Sequence, residues 1–169
     1  MSVVLVRVDQ RLLHGQVAVG WAPELDADHV LIADDALAAD AFGREVMTSA
    51  APPELEVDVA SLEEAARRFS ELKGRTILLV RNPAALLALV RLGALVREVN
   101  VGGLHWKEGA RRFLDYLYVT PEDVSALAGV AALGVRLTAC DLPGNTKVDL
   151  NAALADGRLA FDHLSARHP

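Results

Sequence analysis

Three side chains near the amino terminus have the types that phosphate chemistry uses. In "RVDQRLLHGQV" (7–17), Asp9, Arg11 and His14 follow the apolar run "VVLV", and Gly15 and Gln16 come directly after the histidine. A neutral imidazole is a good nucleophile near neutral pH, because its reference pKa is ~6.5. Neighbouring cations such as Arg11 or Lys107 disfavour its protonation and keep the lone pair free. An arginine can hold two phosphoryl oxygens through parallel hydrogen bonds. Gly15 lets the backbone approach closely, and the helix starting near Gln16 offers its first amides to an anion. Asp9, at the strand end, is placed to hold Arg11 or the loop backbone. Phosphoryl transfer asks for positioning and charge stabilisation more than acid–base machinery. On spacing alone two plainer readings stay open: a loop histidine bonded locally, and a surface arginine paired with Asp9.

These residues need a scaffold, and the rest of the chain supplies its pattern. Strand-like runs cover 2–8, 29–34, 54–60, 75–81, 97–102, 114–119 and 135–140. Several are apolar throughout, as strands buried on both faces are. Helical stretches lie between them: a short one from Gly15, then 35–50, 61–73, 83–93 and 120–134. Ser61-x-x-Glu64 reads as a capping box. Pro83 and Pro121 stand in first turns, and Gly74, Gly93 and Gly134 stand at helix ends. Strand and helix in alternation imply an α/β fold: a single-domain, open, mostly parallel sheet with helices on both faces. Residues 1–142 read as one domain, and 143–169 as a C-terminal extension packed on it.

In such a sheet, ligands bind beyond the carboxyl ends of the strands. The loops at that edge carry further candidates: Asp34 and Asp35, Arg81 and Asn82, His105 and Lys107. Asp34-Asp35 reads as a helix cap rather than a metal ligand pair, since no tight ligand spacing accompanies it. His105 is a second acid–base group or a loop-bonding residue. Gly102-Gly103 fits a turn with positive φ, because it matches no dinucleotide or Walker pattern. Trp21 and Trp106 read as packing groups near the site or as part of a docking surface. Cys140, inside an apolar strand, reads as inert core.

Composition excludes several classes. The 169 residues suit one domain, with a core of Ala, Val and Leu since aromatics are only 5%. No apolar stretch approaches the ~18 residues that span a bilayer, and no signal peptide is visible. A single cysteine allows no internal disulfide and fits a reducing, cytoplasmic setting. A formal charge of −6 argues against bulk nucleic-acid binding.

The motif "RVDQRLLHGQVAVGW" resembles the phosphorylation-site loop of the enzyme IIB components of the mannose/fructose/sorbose class of the bacterial sugar phosphotransferase system. Three more stretches are similar to that family: "IADDALAADAFGREVMTSAAPP", "ILLVRNPAALLALVRLG" and "EVNVGGLHWKEGARRF". The resemblance runs over roughly 3 to 142; no motif matches beyond Leu142. It implies a cytoplasmic phosphocarrier, a protein-Nπ-phosphohistidine–sugar phosphotransferase without metal or cofactor. His14 would accept phosphate, at Nδ1, from a phosphohistidine on a separate IIA partner. It would pass the group to sugar arriving through the membrane IIC/IID subunits, with Arg11 holding the phosphate. The alternatives are a regulatory phosphoacceptor of an incomplete system with no sugar transport, and an unphosphorylated binding module.

Overall fold

The computed structural model describes residues 3–165. Seven strands form one sheet in the order β3-β2-β4-β1-β5-β8-β9. These are β1 (Val3–Val8), β2 (His29–Ala33), β3 (Glu56–Ala60), β4 (Thr76–Val80), β5 (Glu98–Val101), β8 (Arg136–Ala139) and β9 (Val148–Asp149). All pairings are parallel except that of β9 with β8. β4 is buried at every position, which is why its sequence shows no polar alternation.

The connections divide between the two faces. After β1 come a π-helical turn (Gln16–Trp21) and α1 (Ala22–Glu24); after β2 come α2 (Asp35–Ala39) and α3 (Ala41–Ser49). They cover one face around Leu12, Val17, Trp21, Ile32, Leu37 and Ile77. On the other face lie α4 (Leu62–Arg68), α5 (Pro83–Arg91), α6 (Pro121–Ala132) and α7 (Leu150–Ala155). These pack over Val8, Leu31, Leu78, Leu86, Val101 and Leu127. The chain therefore leaves β1 toward one face and its neighbour β4 toward the other, and a crevice opens at their carboxyl ends.

Several sequence expectations change in detail. The stretch 35–50 is two helices, because Asp40 is extended and its side chain caps α3 by accepting from the Gly43 amide at 3.1 Å. The helix expected over 61–73 stops at Arg68. Ser61 caps it as expected, but the reciprocal capping box lies at Thr120 and Asp123. The run 114–119 is not a strand of the main sheet. Asp115 and Tyr116 turn the chain between β6 (Arg111–Leu114) and β7 (Leu117–Val119), a separate two-stranded sheet. Of the segment after Leu142, residues 143–165 are described: β9 adds a strand to the sheet, and Leu150, Ala153 and Leu159 are buried in the core.

Candidate functional site

The loop after β1 is a tight turn in the crevice. The Asp9 amide donates to the Val80 carbonyl at the end of β4 (2.9 Å). The Gln10 amide donates to Gly103 after β5 (2.8 Å), so the loop is tied to both flanking strands. The Leu12 amide then closes back on the Asp9 carbonyl at 2.9 Å. Closure puts Leu12 at φ 56, a left-handed conformation costing a leucine about 1–2 kcal/mol. Its side chain is fully buried, and that packing offsets the strain.

The turn gathers its polar groups around one buried carboxylate. Asp9 is 0% exposed. Its Oδ1 accepts the Arg11 amide at 3.1 Å and lies 4.0 Å from Arg11 Nε. Its Oδ2 lies 3.0 Å from His14 Nε2. That is a hydrogen-bond separation, although the ring N–H does not point squarely at the oxygen. His14 Nε2 is enclosed against that carboxylate. The His14 side chain is 13% exposed and that of Arg11 45%. Arg11 Nη2 donates to Gln16 Oε1 at 3.1 Å, which holds the guanidinium at the rim beside His14. Burial pushes the Asp9 carboxyl up, but His14, Arg7 and the Arg11 amide more than offset it. The group lies below the usual carboxylate range.

Sequence reasoning passed over Arg7, the most heavily bonded member of the site. It is 0% exposed. Nε and Nη2 donate to Asp9 Oδ2 at 3.2 and 2.8 Å. Nη1 donates to the Asn100 side-chain carbonyl and to the Cys140 carbonyl (2.9 Å), and Nη2 to the Asp141 carbonyl at 3.2 Å. The guanidinium carbon stands 5.4 Å from the centre of the Trp21 ring. The signal was present: in a strand, Arg7 and Asp9 two apart share a face, and an arginine inside an apolar strand needs a buried partner.

The other candidates divide into groups. Asp34 caps α2, accepting from the Leu37 amide at 2.8 Å, and also binds Arg81 Nε at 2.6 Å. Burial raises its carboxyl, but the bonds from Arg81 and the Leu37 amide outweigh this and leave it lowered. Asn82 caps α5. Arg81, Asn82, His105, Lys107 and Asp123 line a cleft of about 100 Å³ with Gln10 of the β1 loop. The His105 amide donates to Gln10 Oε1 at 2.8 Å. Lys107 lies 3.7 Å from Asp123 Oδ2, so its charge is directed at that carboxylate and not at His14 as expected.

Gly102 and Gly103 correct another expectation, since neither has positive φ. A Cβ at Gly102 would stand 2.1 Å from Arg7 Nη2, so the position is kept bare by the buried guanidinium. Gly15 is also right-handed (φ −52), and a Cβ there would meet nothing within 4 Å. The space above it is open. Trp21 is buried and donates to the Asp141 carbonyl at 2.9 Å, and Trp106 is 45% exposed. Cys140 lies in the core, where burial raises its thiol. Among the described residues no three His, Cys, Asp or Glu side chains converge as a metal site. A larger cavity, about 470 Å³, is lined by Asp28, His29, Asp58 and Arg68 at the opposite edge of the sheet.

An open, mostly parallel sheet, with a histidine–carboxylate pair and an exposed guanidinium at its carboxyl edge, defines an α/β protein with its polar crevice at that edge. Comparison with known proteins gives the class a family. Residues 3–164 match the family described as PTS system sorbose subfamily IIB component, and the chain belongs to it. The match runs past Leu142, where the recognisable motifs stop. The chain is 33% identical over 140 residues to the sorbose-specific EIIB component of Klebsiella pneumoniae, covering 81% of this chain and 85% of that protein. It is 30% identical over 152 residues to the fructose-specific EIIB component of Bacillus subtilis, covering 88% and 93%. The IIBSor domain of the Klebsiella pneumoniae sorbose permease has the same fold, with a TM-score of 0.82 and 30% identity. That alignment covers 92% of this chain and 98% of that one. The protein is thus a sugar-specific IIB component of the sorbose/mannose class, and such components are phosphotransferases of sugar uptake that work with IIA and IIC/IID partners. Among the described residues no helix is long and apolar enough to cross a membrane.

Proposed function

We propose that this chain is a cytoplasmic phosphocarrier whose acceptor is Nδ1 of His14. The carrying observation is the placement of Asp9 Oδ2 at 3.0 Å from the enclosed Nε2, which leaves Nδ1 as the acceptor nitrogen. A carboxylate there favours the tautomer with its proton on Nε2 and its lone pair on Nδ1.

That pair attacks the phosphorus of a phosphohistidine on the IIA partner. The new N–P bond forms as the old one breaks, and the bonding pair returns to the donor nitrogen. No proton need move. As Nδ1 shares its pair with phosphorus, positive charge develops on the His14 ring, and the Asp9 carboxylate stabilises it, as the aspartate of a catalytic triad stabilises imidazolium. Arg11, at the rim, meets the transferred oxygens, and the open space over Gly15 admits them. The group then passes to an incoming sugar at the IIC/IID permease. Arg81 and Lys107 are already paired with carboxylates, and with His105 they shape the rim rather than supply the first phosphate contact.

The test is incubation with phosphoenolpyruvate, the general phosphotransfer proteins and a matching IIA. An acid-labile label on the wild-type protein, absent from His14→Ala, is the expected result. No label on the wild type, or an undiminished one on the variant, refutes the assignment. Label without sugar phosphorylation in membranes holding the matching permease assigns the same chemistry to signalling.

A further inference from the structure

We propose that Arg7 is a positioning residue for phosphotransfer: by compensating Asp9 from inside the protein, it lets that carboxylate orient His14 without forcing a second proton onto the ring. The inference rests on the reading of His14 as phosphoacceptor and adds to it a second arginine, one that never touches phosphate.

Arg7 cannot act on phosphate directly, because it is wholly enclosed. Its donors are spent on Asp9, Asn100 and the carbonyls of Cys140 and Asp141, and its guanidinium carbon stands over the Trp21 ring. These anchors come from β5, from the segment after β8 and from the turn after the His14 loop. A Cβ at Gly102 would stand 2.1 Å from Nη2, so the glycine keeps that place clear for the guanidinium. A group fixed from several elements at once has little freedom to relax when its partner changes charge.

Arg7 and His14 meet the same oxygen. Nη2 of Arg7 is 2.8 Å and Nε2 of His14 is 3.0 Å from Asp9 Oδ2, which also accepts the Gly103 amide at 3.4 Å, while Oδ1 is held by the Arg11 amide. A buried carboxylate must be compensated by a cation or take up a proton. The charged or titratable groups that meet Asp9 are Arg7, Arg11 and His14. Arg11 approaches only to 4.0 Å and is exposed to solvent, which screens it. Asp141, Cys140 and Tyr116 act on the Arg7 side of the pair. Without Arg7, the nearest remaining compensation for Asp9 is a protonated His14. An imidazolium has no lone pair with which to attack.

The experiment compares wild type, Arg7→Met, Arg7→Lys and Asn100→Leu in the full chain, each checked for folding by urea denaturation. The ring state of His14 is read by NMR with ¹⁵N-labelled histidine, and transfer from phosphorylated IIA is followed against pH. The wild-type ring is expected to show the Nε2–H tautomer that the Asp9 contact favours. In Arg7→Met the doubly protonated form grows, and the acid limb of the transfer rate moves up by about one pH unit. Arg7→Lys, which keeps the charge but not the fork, falls between. Asn100→Leu, which loosens the clamp and keeps the charge, shifts the ring in the same direction by less. A folded Arg7→Met or Asn100→Leu with the wild-type ring spectrum and pH profile overturns the proposal. If Arg7→Met does not fold, Asn100→Leu decides alone. A wild-type protein that takes no label refutes the phosphoacceptor reading, while the ring spectra still decide whether Arg7 governs His14.

Discussion

Nε2 of His14 stands 3.0 Å from Oδ2 of Asp9, a carboxylate with no exposure to solvent. One ring nitrogen therefore faces the buried carboxylate. The polarity of the site follows from that contact. Charge compensation enters from behind through Arg7, and the exposed cation, Arg11, stands in front.

Acid should loosen the protein by way of Asp9 and Asp34. Both carboxyls lie below their ordinary range in the folded state. The unfolded chain then binds protons at higher pH than the native one. The stability these groups contribute is complete at neutral pH and is lost as the pH falls below about 4 through the lowered native values. Urea midpoints measured from pH 7 down to pH 3 should drop across that window. Asp34→Asn keeps the helix cap but removes the charge, and its profile should be flatter. Midpoints that stay level to pH 3 contradict the expectation.

Arg11 should matter to transfer and hardly at all to folding. Its side chain is 45% exposed and its side-chain partner Gln16 is also near the surface. Arg11→Ala should slow phosphotransfer by about 10- to 100-fold, the value of one charge-assisted hydrogen bond of about 1.5–3 kcal/mol. Its stability should stay within about 0.5 kcal/mol of wild type. Arg11→Lys should recover part of the rate, since it keeps the charge without the two-pronged geometry. Equal rates for all three proteins would remove Arg11 from the site.

The segment after Leu142 should behave as part of the core. Leu150 is fully buried on α7, and β9 pairs with β8. Leu150→Ala should cost about 2–5 kcal/mol, the range for a truncated core leucine. A loss under about 1 kcal/mol by urea denaturation would mean the extension is only loosely attached.

The parallel sheet was legible because buried strands and capped helices write local, periodic signals. "RTILLVR" carries one in its apolar run and Asn82-Pro83 another as cap and first turn. Asp40 misled because a capping residue within an alanine-rich run looks like one more helical position. The stretch 114–119 misled because Leu114 and Leu117–Val119 are all strand residues, and only their pairing shows that they face each other across Asp115 and Tyr116. The cluster Asp9, Arg11, His14 and Gln16 was legible because one short loop holds them all. Gly102 reads in sequence as a turn glycine, whereas what excludes a side chain there is Arg7, distant in sequence.

By itself, the order of residues determined the alternation of strands and helices, the loop edge at which chemistry collects, and the family, because each depends on neighbours a few positions apart. Tertiary structure alone decided which charges are spent and which are free. Arg81 is paired with Asp34 and Lys107 with Asp123, whereas Arg11 stands at the rim and Arg7 is locked beneath His14. The physical reason is that a charge's effect depends on distance and burial. Strand register brings Asn100 and Cys140 to Arg7, and no spacing along the chain records that approach.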